Sequence, residues 1–209
     1  MDRKGILLVV SGFSGAGKGT LMKELVSRYD NYALSISATT RSPREGEVDG
    51  REYFFRTKEE FEQMRADEAL IEHACYVGNY YGTPRAYVEE QLALGRDVIL
   101  EIEIQGALQI KKRFPDTLLL FVSTPDAETL KNRLIGRGTE SLDVVEKRLS
   151  RASEEAEGIE NYDYFIINDD LDTCVTQVHQ IIQGEHSRVS RNLELINTIK
   201  KDISKFQKG

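Results

Sequence analysis

The chain has 209 residues, 40% of them apolar and 30% charged, which is the length of one domain with enough apolar content for a sizeable core. Its 28 Lys and Arg stand against 35 Asp and Glu; the net charge of −7 argues against a protein that coats nucleic acid or an anionic membrane, while leaving room for a local basic pocket for a small anion. No stretch approaches the ~18 consecutive apolar residues of a membrane span, the N-terminus lacks signal-peptide architecture, and Cys75 and Cys174 form neither a metal spacing nor a disulfide framework. The expectation is a cytoplasmic chain with reduced thiols.

Residues 6–10 form a continuous β-rich apolar run and predict a buried strand. Residues 12–17 are a glycine-rich turn, and 19–29 carry Leu21, Met22, Leu25 and Val26 at helical spacing. A second strand is predicted over 32–36. From 37 to 87 the character changes: Arg41-Ser42-Pro43-Arg44 and Asp49-Gly50 are turn signals, and 52–55 is aromatic and strand-like. Thr57 followed by Glu60 is a capping-box pattern that opens a short helix through Phe61 and Met64. Residues 70–77 return as strand and 78–82 read as a loop, so this block is expected to be a small α+β insert.

After it the alternation resumes. Helices are predicted over 85–94, 105–114, 126–135, 141–157 and 171–185, and strands over 97–102, 118–122 and 164–167. Alternating strands and helices imply an α/β fold with a parallel sheet and helices on both faces. The last segment, 187–209, places Val189, Leu193, Ile196, Ile199, Ile203 and Phe206 at helical spacing. It reads as a packing helix or tail, with a partner-docking helix as the alternative. His73, His179 and His186 lack metal spacing and read as structural, and Cys75 reads as core packing. Asp169-Asp170 suits a helix cap as well as a catalytic role.

The run Gly12-Phe13-Ser14-Gly15-Ala16-Gly17-Lys18-Gly19-Thr20 resembles a phosphate-binding loop, set between an apolar strand and a helix. Glycines let the backbone wrap so that several N–H groups converge on phosphate oxygens, and the following helix aims its positive end at the same point. Lys18 can then reach the β- and γ-phosphates. The usual pattern has Ser or Thr directly after the lysine to hold Mg²⁺; here that residue is Gly19, and Thr20 is the chosen hydroxyl. The loop alone implies a nucleoside triphosphate, and the same Gly-Lys-Gly-Thr run occurs in adenylate kinases. Arg41 and Arg44 flank a proline with guanidinium forks suited to phosphate oxygens, with Tyr53 and Tyr81 as hydroxyl donors. Taken alone, they read equally well as surface arginines in a turn.

The wider pattern is more specific. Ser37-Ala-Thr-Thr-Arg41-Ser-Pro-Arg44-Glu-Gly-Glu-Val-Asp-Gly-Arg-Glu-Tyr53-Phe-Phe resembles the nucleotide-acceptor segment of guanylate kinases. Glu72-His-Ala, Gly78-Asn-Tyr-Tyr81-Gly-Thr83, Glu101-Ile-Glu103-Ile-Gln-Gly106, Arg133-Leu-Ile-Gly-Arg137-Gly-Thr-Glu and Asn168-Asp-Asp-Leu continue it, in family order, over about residues 5–185. The resemblance implies a P-loop NTPase fold: a core over 5–36 and 88–186, a GMP-binding insert over 37–87, a mobile lid over about 136–148, and a helical extension over 187–209. It implies ATP-dependent, Mg²⁺-assisted phosphorylation of GMP, with dGMP accepted. The partners are then these small molecules, with no nucleic acid and no membrane; a homo-oligomer is left open.

By the same resemblance Glu72 reads guanine. Guanine presents N1–H and its 2-amino group side by side, two donors for one carboxylate, whereas adenine offers an acceptor at N1. Ser37 and Thr83 would place hydroxyls near O6 and N7, and Arg41, Arg44, Tyr53 and Tyr81 would hold the acceptor phosphate. Strand alternation predicts Glu101 and Glu103 on one face, Glu101 near the metal waters and Glu103 near the guanine amino group. Lys18, Arg133, Arg137 and Arg148 would carry the positive charge of the transfer step, with Gly136 and Gly138 flanking Arg137 in the lid. Asn168 would border the adenine of ATP. The rivals are another nucleoside monophosphate kinase and a non-catalytic scaffold built on the same domain.

Overall fold

The computed structural model describes residues 4–76, 78–136, 148–150, 152–153 and 155–206. Arg137, Gly138 and most of the predicted lid over 136–148 lie outside the described residues. In chain order the elements are β1 (Leu7–Gly12), α1 (Lys18–Arg28), β2 (Tyr32–Leu34), β3 (Ala38–Thr39), β4 (Phe54–Phe55), α2 (Lys58–Ala66), β5 (Leu70–Tyr76), β6 (Asn79–Pro84) and α3 (Arg85–Ala93). They continue with β7 (Asp97–Glu101), α4 (Ile104–Arg113), β8 (Leu118–Ser123), α5 (Ala127–Gly136), β9 (Tyr164–Ile167), α6 (Leu171–His186) and α7 (Leu193–Lys205). Residues 148–150, 152–153 and 155–156 are also helical.

The larger sheet has five strands in the order β2-β7-β1-β8-β9, all parallel. Its central strand is buried on both sides, which explains the unbroken apolar run. Leu8 and Val10 face one core with Leu21, Leu25, Val175 and Val178, from α1 and α6. Val9 faces the other with Val98, Leu100, Ala107 and Ile110, from β7 and α4. The switch in strand order at β1 opens a crevice at the carboxyl ends of β1 and β7, the place where such sheets hold ligands.

The smaller sheet, β4-β3-β6-β5, is mostly antiparallel and covers its own core of Ala38, Phe61 and Leu70, with Phe54, Met64 and Tyr80 beside it. The predicted capping box forms: Thr57 Oγ1 accepts from Glu60 N at 3.1 Å, and Glu60 Oε2 accepts from Thr57 N at 2.7 Å. Asp170 caps α6 by accepting from Thr173 N at 2.9 Å. His179 stacks on Tyr29 with centroids 3.6 Å apart and bonds Tyr32 Oη at 2.8 Å, and His186 Nε2 meets buried Asp97 at 2.8 Å, so both serve the core.

Four expectations need correction. The segment 78–82 is not a loop: β6 begins at Asn79 and pairs antiparallel with β5 and with β3. Gly78, at φ +75°, lies at the turn. Gly82 is needed for close packing, because a Cβ there would sit 2.9 Å from Glu72 O and 3.1 Å from Phe61 Cζ. In sequence both glycines read as loop signals. Second, β2 ends at Leu34 and β7 at Glu101, short of the predicted 36 and 102. Third, Cys75 is exposed near the end of the β5–β6 hairpin, while Cys174 is the buried thiol. Fourth, residues 187–209 are not one continuous helix: a 3₁₀ turn at Val189–Arg191 precedes α7.

Candidate active site

The phosphate loop follows β1 directly. Gly12, Gly15 and Gly17 have φ of 154°, 92° and 88°, values that L side chains rarely adopt, so the sequence folds here only because it is glycine-rich. At Gly12 space also forbids a side chain, since a Cβ would fall 2.0 Å from Val122 O. Lys18 opens α1 and folds back over the loop, donating from Nζ to Gly12 O at 2.6 Å and Phe13 O at 3.1 Å. Phe13 anchors the loop edge-to-face on Phe121, centroids 5.0 Å apart. Asn168, buried just past the end of β9, donates from Nδ2 to Ala16 O at 2.8 Å, so its observed contact is with the loop itself.

Two of the predicted arginines reach this loop. Arg148 Nη1 donates to Ser14 Oγ at 3.4 Å. Arg133, on α5, places Nη1 3.9 Å from where a Gly17 Cβ would stand. Lys18, Arg133 and Arg148 therefore surround one loop although they are far apart in sequence, and Arg137 lies outside the described residues.

Glu101 ends β7 beside the loop. A Cβ at Gly19 would be 3.9 Å from both of its carboxylate oxygens, so the glycine after Lys18 leaves a gap facing that acid. Surrounding protein pushes the Glu101 carboxyl above its usual range, Lys18 pulls it back, and Glu103 adds to the rise. The two acids are thus electrostatic neighbours, but not as two residues on one face of a strand. The strand has ended, and Glu103 is the N-cap residue of α4, exposed at the turn between β7 and α4. Thr20 is exposed in the first turn of α1.

The smaller sheet brings together the residues predicted for the acceptor. Glu72 and Thr83 face each other across β5 and β6, both buried, and Thr83 Oγ1 donates to Glu72 Oε1 at 2.7 Å. Loss of water pushes the Glu72 carboxyl up to about 7, against the pull of the Thr83 hydroxyl and backbone amide. Arg41 lies over the Tyr53 ring, 5.3 Å from its centroid, and Tyr53 packs edge-on against Tyr81 at 6.0 Å. Ser37 is half-buried just before β3, its carbonyl accepting from Phe54 N at 2.9 Å. Arg44 is exposed.

One residue of this group escaped the sequence reading. Glu47 accepts from Arg41 Nη2 at 3.0 Å and from Arg44 N at 2.7 Å, and those bonds draw its carboxyl below the usual range. It folds the arginine turn onto itself and aims Arg41 toward the tyrosines. Its only sequence signal is its place three residues after Arg44 in a glycine turn, which is no more than a local hydrogen-bonding position.

Both groups of residues border the segment that runs from the end of β7 into the first turn of α4. Lys18 and Gly19 border Glu101 on one side, and Glu72 borders Gly106 of α4 on the other. A phosphate loop at the crevice of a parallel sheet, with a buried acid–hydroxyl pair and an arginine–tyrosine cluster on a second sheet, suits a phosphate-loop nucleotide kinase. The sequence model of the family described as guanylate kinase matches residues 4–185. A guanylate kinase of Bacillus cereus is 53% identical over 191 residues, 91% of this chain and 93% of that protein. One from Streptococcus agalactiae serotype III is 47% identical over 206 residues, 98% and 99% of the two chains. The crystal structure of guanylate kinase from Anaplasma phagocytophilum superposes with a TM-score of 0.73 at 30% identity, covering 90% of this chain and 89% of that one. The chain belongs to the guanylate kinase family.

Proposed function

We propose that the chain transfers the terminal phosphoryl group of ATP to GMP, giving ADP and GDP, with ATP on the phosphate loop and GMP on the inserted sheet. Its membership of the guanylate kinase family supports the reaction. The observation that carries the assignment of sites is the shared segment from the end of β7 to the first turn of α4: the loop lysine borders it at Glu101, and the buried Glu72–Thr83 pair borders it at Gly106.

The acceptor phosphate is already anionic at neutral pH, so no general base is required. The obstacle is repulsion between two anions and competition from water, and the remedy is positioning and fixed positive charge. Lys18, Arg133 and Arg148 supply that charge around the loop, and Arg137 joins them from the lid proposed over about 136–148. Gly12, Phe13, Ser14, Gly15, Ala16, Gly17, Gly19 and Thr20 form the cradle, and Asn168 holds its floor through Ala16. Arg41, Arg44, Tyr53 and Tyr81 take the GMP phosphate, with Glu47 holding the arginine turn in place. Glu72, Ser37, Thr83 and Glu103 read the base. Recognition then rests on base and phosphate, which is why dGMP is taken as a second substrate. A cytoplasmic location suits such substrates, and no described helix is long and apolar enough to cross a membrane.

The donor set suits Mg²⁺. Glu101 is a hard oxygen donor facing the gap at Gly19, and the Thr20 hydroxyl follows one residue on. When bound, the ion neutralises charge on the nucleotide phosphates. The test is ADP formation from ATP and Mg²⁺ with GMP, dGMP, AMP, UMP and dTMP offered separately. Turnover with GMP and dGMP alone, abolished by EDTA, is expected. Comparable turnover with AMP would overturn the assignment of Glu72.

A further inference from the structure

Gly106 sits where the backbone gives no reason for glycine. It is the third residue of α4, its φ is not positive, and a glycine inside a helix weakens it. The reason lies across the gap to β5. A Cβ on Gly106 would stand 2.9 Å from Glu72 Oε2 and 3.6 Å from its Cδ, with Ile102 Cδ1 at 3.2 Å. Glu72 cannot simply turn aside, because its other oxygen accepts from buried Thr83 Oγ1 at 2.7 Å. Nor can α4 withdraw: Ala107 and Ile110 are buried in the core beneath the parallel sheet, and Arg113 Nη1 at the far end of the helix donates to Ile71 O at 2.9 Å.

We propose that Gly106 is a specificity-positioning residue: its missing side chain is the slot that lets the Glu72 carboxylate lie flat against α4, at the height where it meets both guanine donors. The proposal rests on the reading of Glu72 as the base-reading group. The slot also couples the two subsites, since the helix that shapes it starts directly after Glu101 and Glu103. A side chain at 106 displaces the carboxylate from the guanine edge without touching the phosphate loop.

Gly106→Ala tests this with steady-state kinetics on GMP and IMP, which lacks the 2-amino group. The expected result is a GMP KM raised about tenfold or more, a GMP/IMP preference that shrinks, an ATP KM within about twofold, and a Tm lowered by strain at the buried Glu72–Thr83 pair, partly offset because alanine is the better helix former. Glu72→Asp shortens the acid by one methylene, so Glu72→Asp/Gly106→Ala should bind GMP no worse than Glu72→Asp alone. An unchanged GMP KM and GMP/IMP ratio in folded Gly106→Ala would overturn the proposal. So would equal losses for GMP and ATP, or additive losses in the double variant. Should Gly106→Ala fail to fold, the double variant decides: its recovery as folded protein is expected, and failure of both overturns the slot. Glu72→Gln separates this from the underlying reading. If it leaves the GMP/IMP ratio intact, Glu72 is not the base reader; if it collapses the ratio while Gly106→Ala does not, only the slot is wrong.

Discussion

For single residues, the site is governed by how much water each charge keeps. Glu72 is an ordinary acid in sequence, but burial raises its carboxyl to about 7. The folded state therefore holds its proton more tightly than the unfolded chain does. That contribution to stability is present at low pH and is lost as pH rises from the ordinary carboxylate range through 7. We expect urea unfolding of the ligand-free protein to show stability falling as pH rises from 5 to 8, and Glu72→Gln to remove most of that slope, of order 2 kcal/mol. A variant as pH-dependent as the parent would refute the buried-acid account. Glu47 sits in the arginine turn proposed to take the GMP phosphate. Glu47→Gln should raise the GMP KM several-fold while leaving the ATP KM and Tm nearly unchanged, because it loosens Arg41 and the turn at Arg44 without disturbing a core. Equal effects on GMP and ATP would place Glu47 outside the acceptor subsite.

Among the elements, local sequence and tertiary context divide the work unevenly. The α2 capping box is legible because it needs only residues three positions apart. Thr57→Ala should lower stability by about 1 kcal/mol, read as a shift in urea midpoint, with GMP and ATP KM values within twofold. A loss confined to GMP binding at unchanged stability would mean that α2 shapes the subsite directly. The runs that become β1, β7 and β8 are equally legible, since strands buried on both faces read as continuous apolar stretches. β6 is not. Its Gly82 and the Gly78 before it look like loop signals, and only the packing of Phe61 and the backbone of β5 against Gly82 explains why a strand contains glycine there. Glu103 shows the same limit: alternation predicts it on one strand face with Glu101, but it lies in the turn into α4.

Across the whole molecule, two sheets with separate cores are brought to one crevice, while the C-terminal helix remains outside both. No residue of α7 is buried, and Val189, Leu193, Ile199, Ile203 and Phe206 are exposed. The chain before it is anchored: His186 bonds Asp97, and Asn192 Nδ2 donates to His186 O at 2.8 Å. Removing residues 193–209 is therefore expected to leave Tm within about a degree or two and the kinetics with GMP and ATP unchanged, since burial rather than helix propensity supplies most helix stability. A large drop in Tm, or a change in oligomeric mass on truncation, would show that the apolar stripe is covered in solution.

The parallel α/β core, the phosphate loop and the family to which the chain belongs are all written in short-range patterns: apolar runs, glycines where the backbone must turn left-handed, and motifs of fixed spacing. The candidate residues Lys18, Arg133, Arg148, Arg41, Glu72 and Thr83 are likewise legible in the chain alone. How they act is a matter of packing. The fold sets Glu72 between Thr83 and Gly106, pairs Glu47 with Arg41, and puts Asn168 beneath Ala16. The physical reason is that proximity between distant segments fixes burial and hydrogen bonding, and these fix the charge state of an acid. No local pattern around Glu72 announces that a helix beginning 32 residues later will shut water away from its carboxylate.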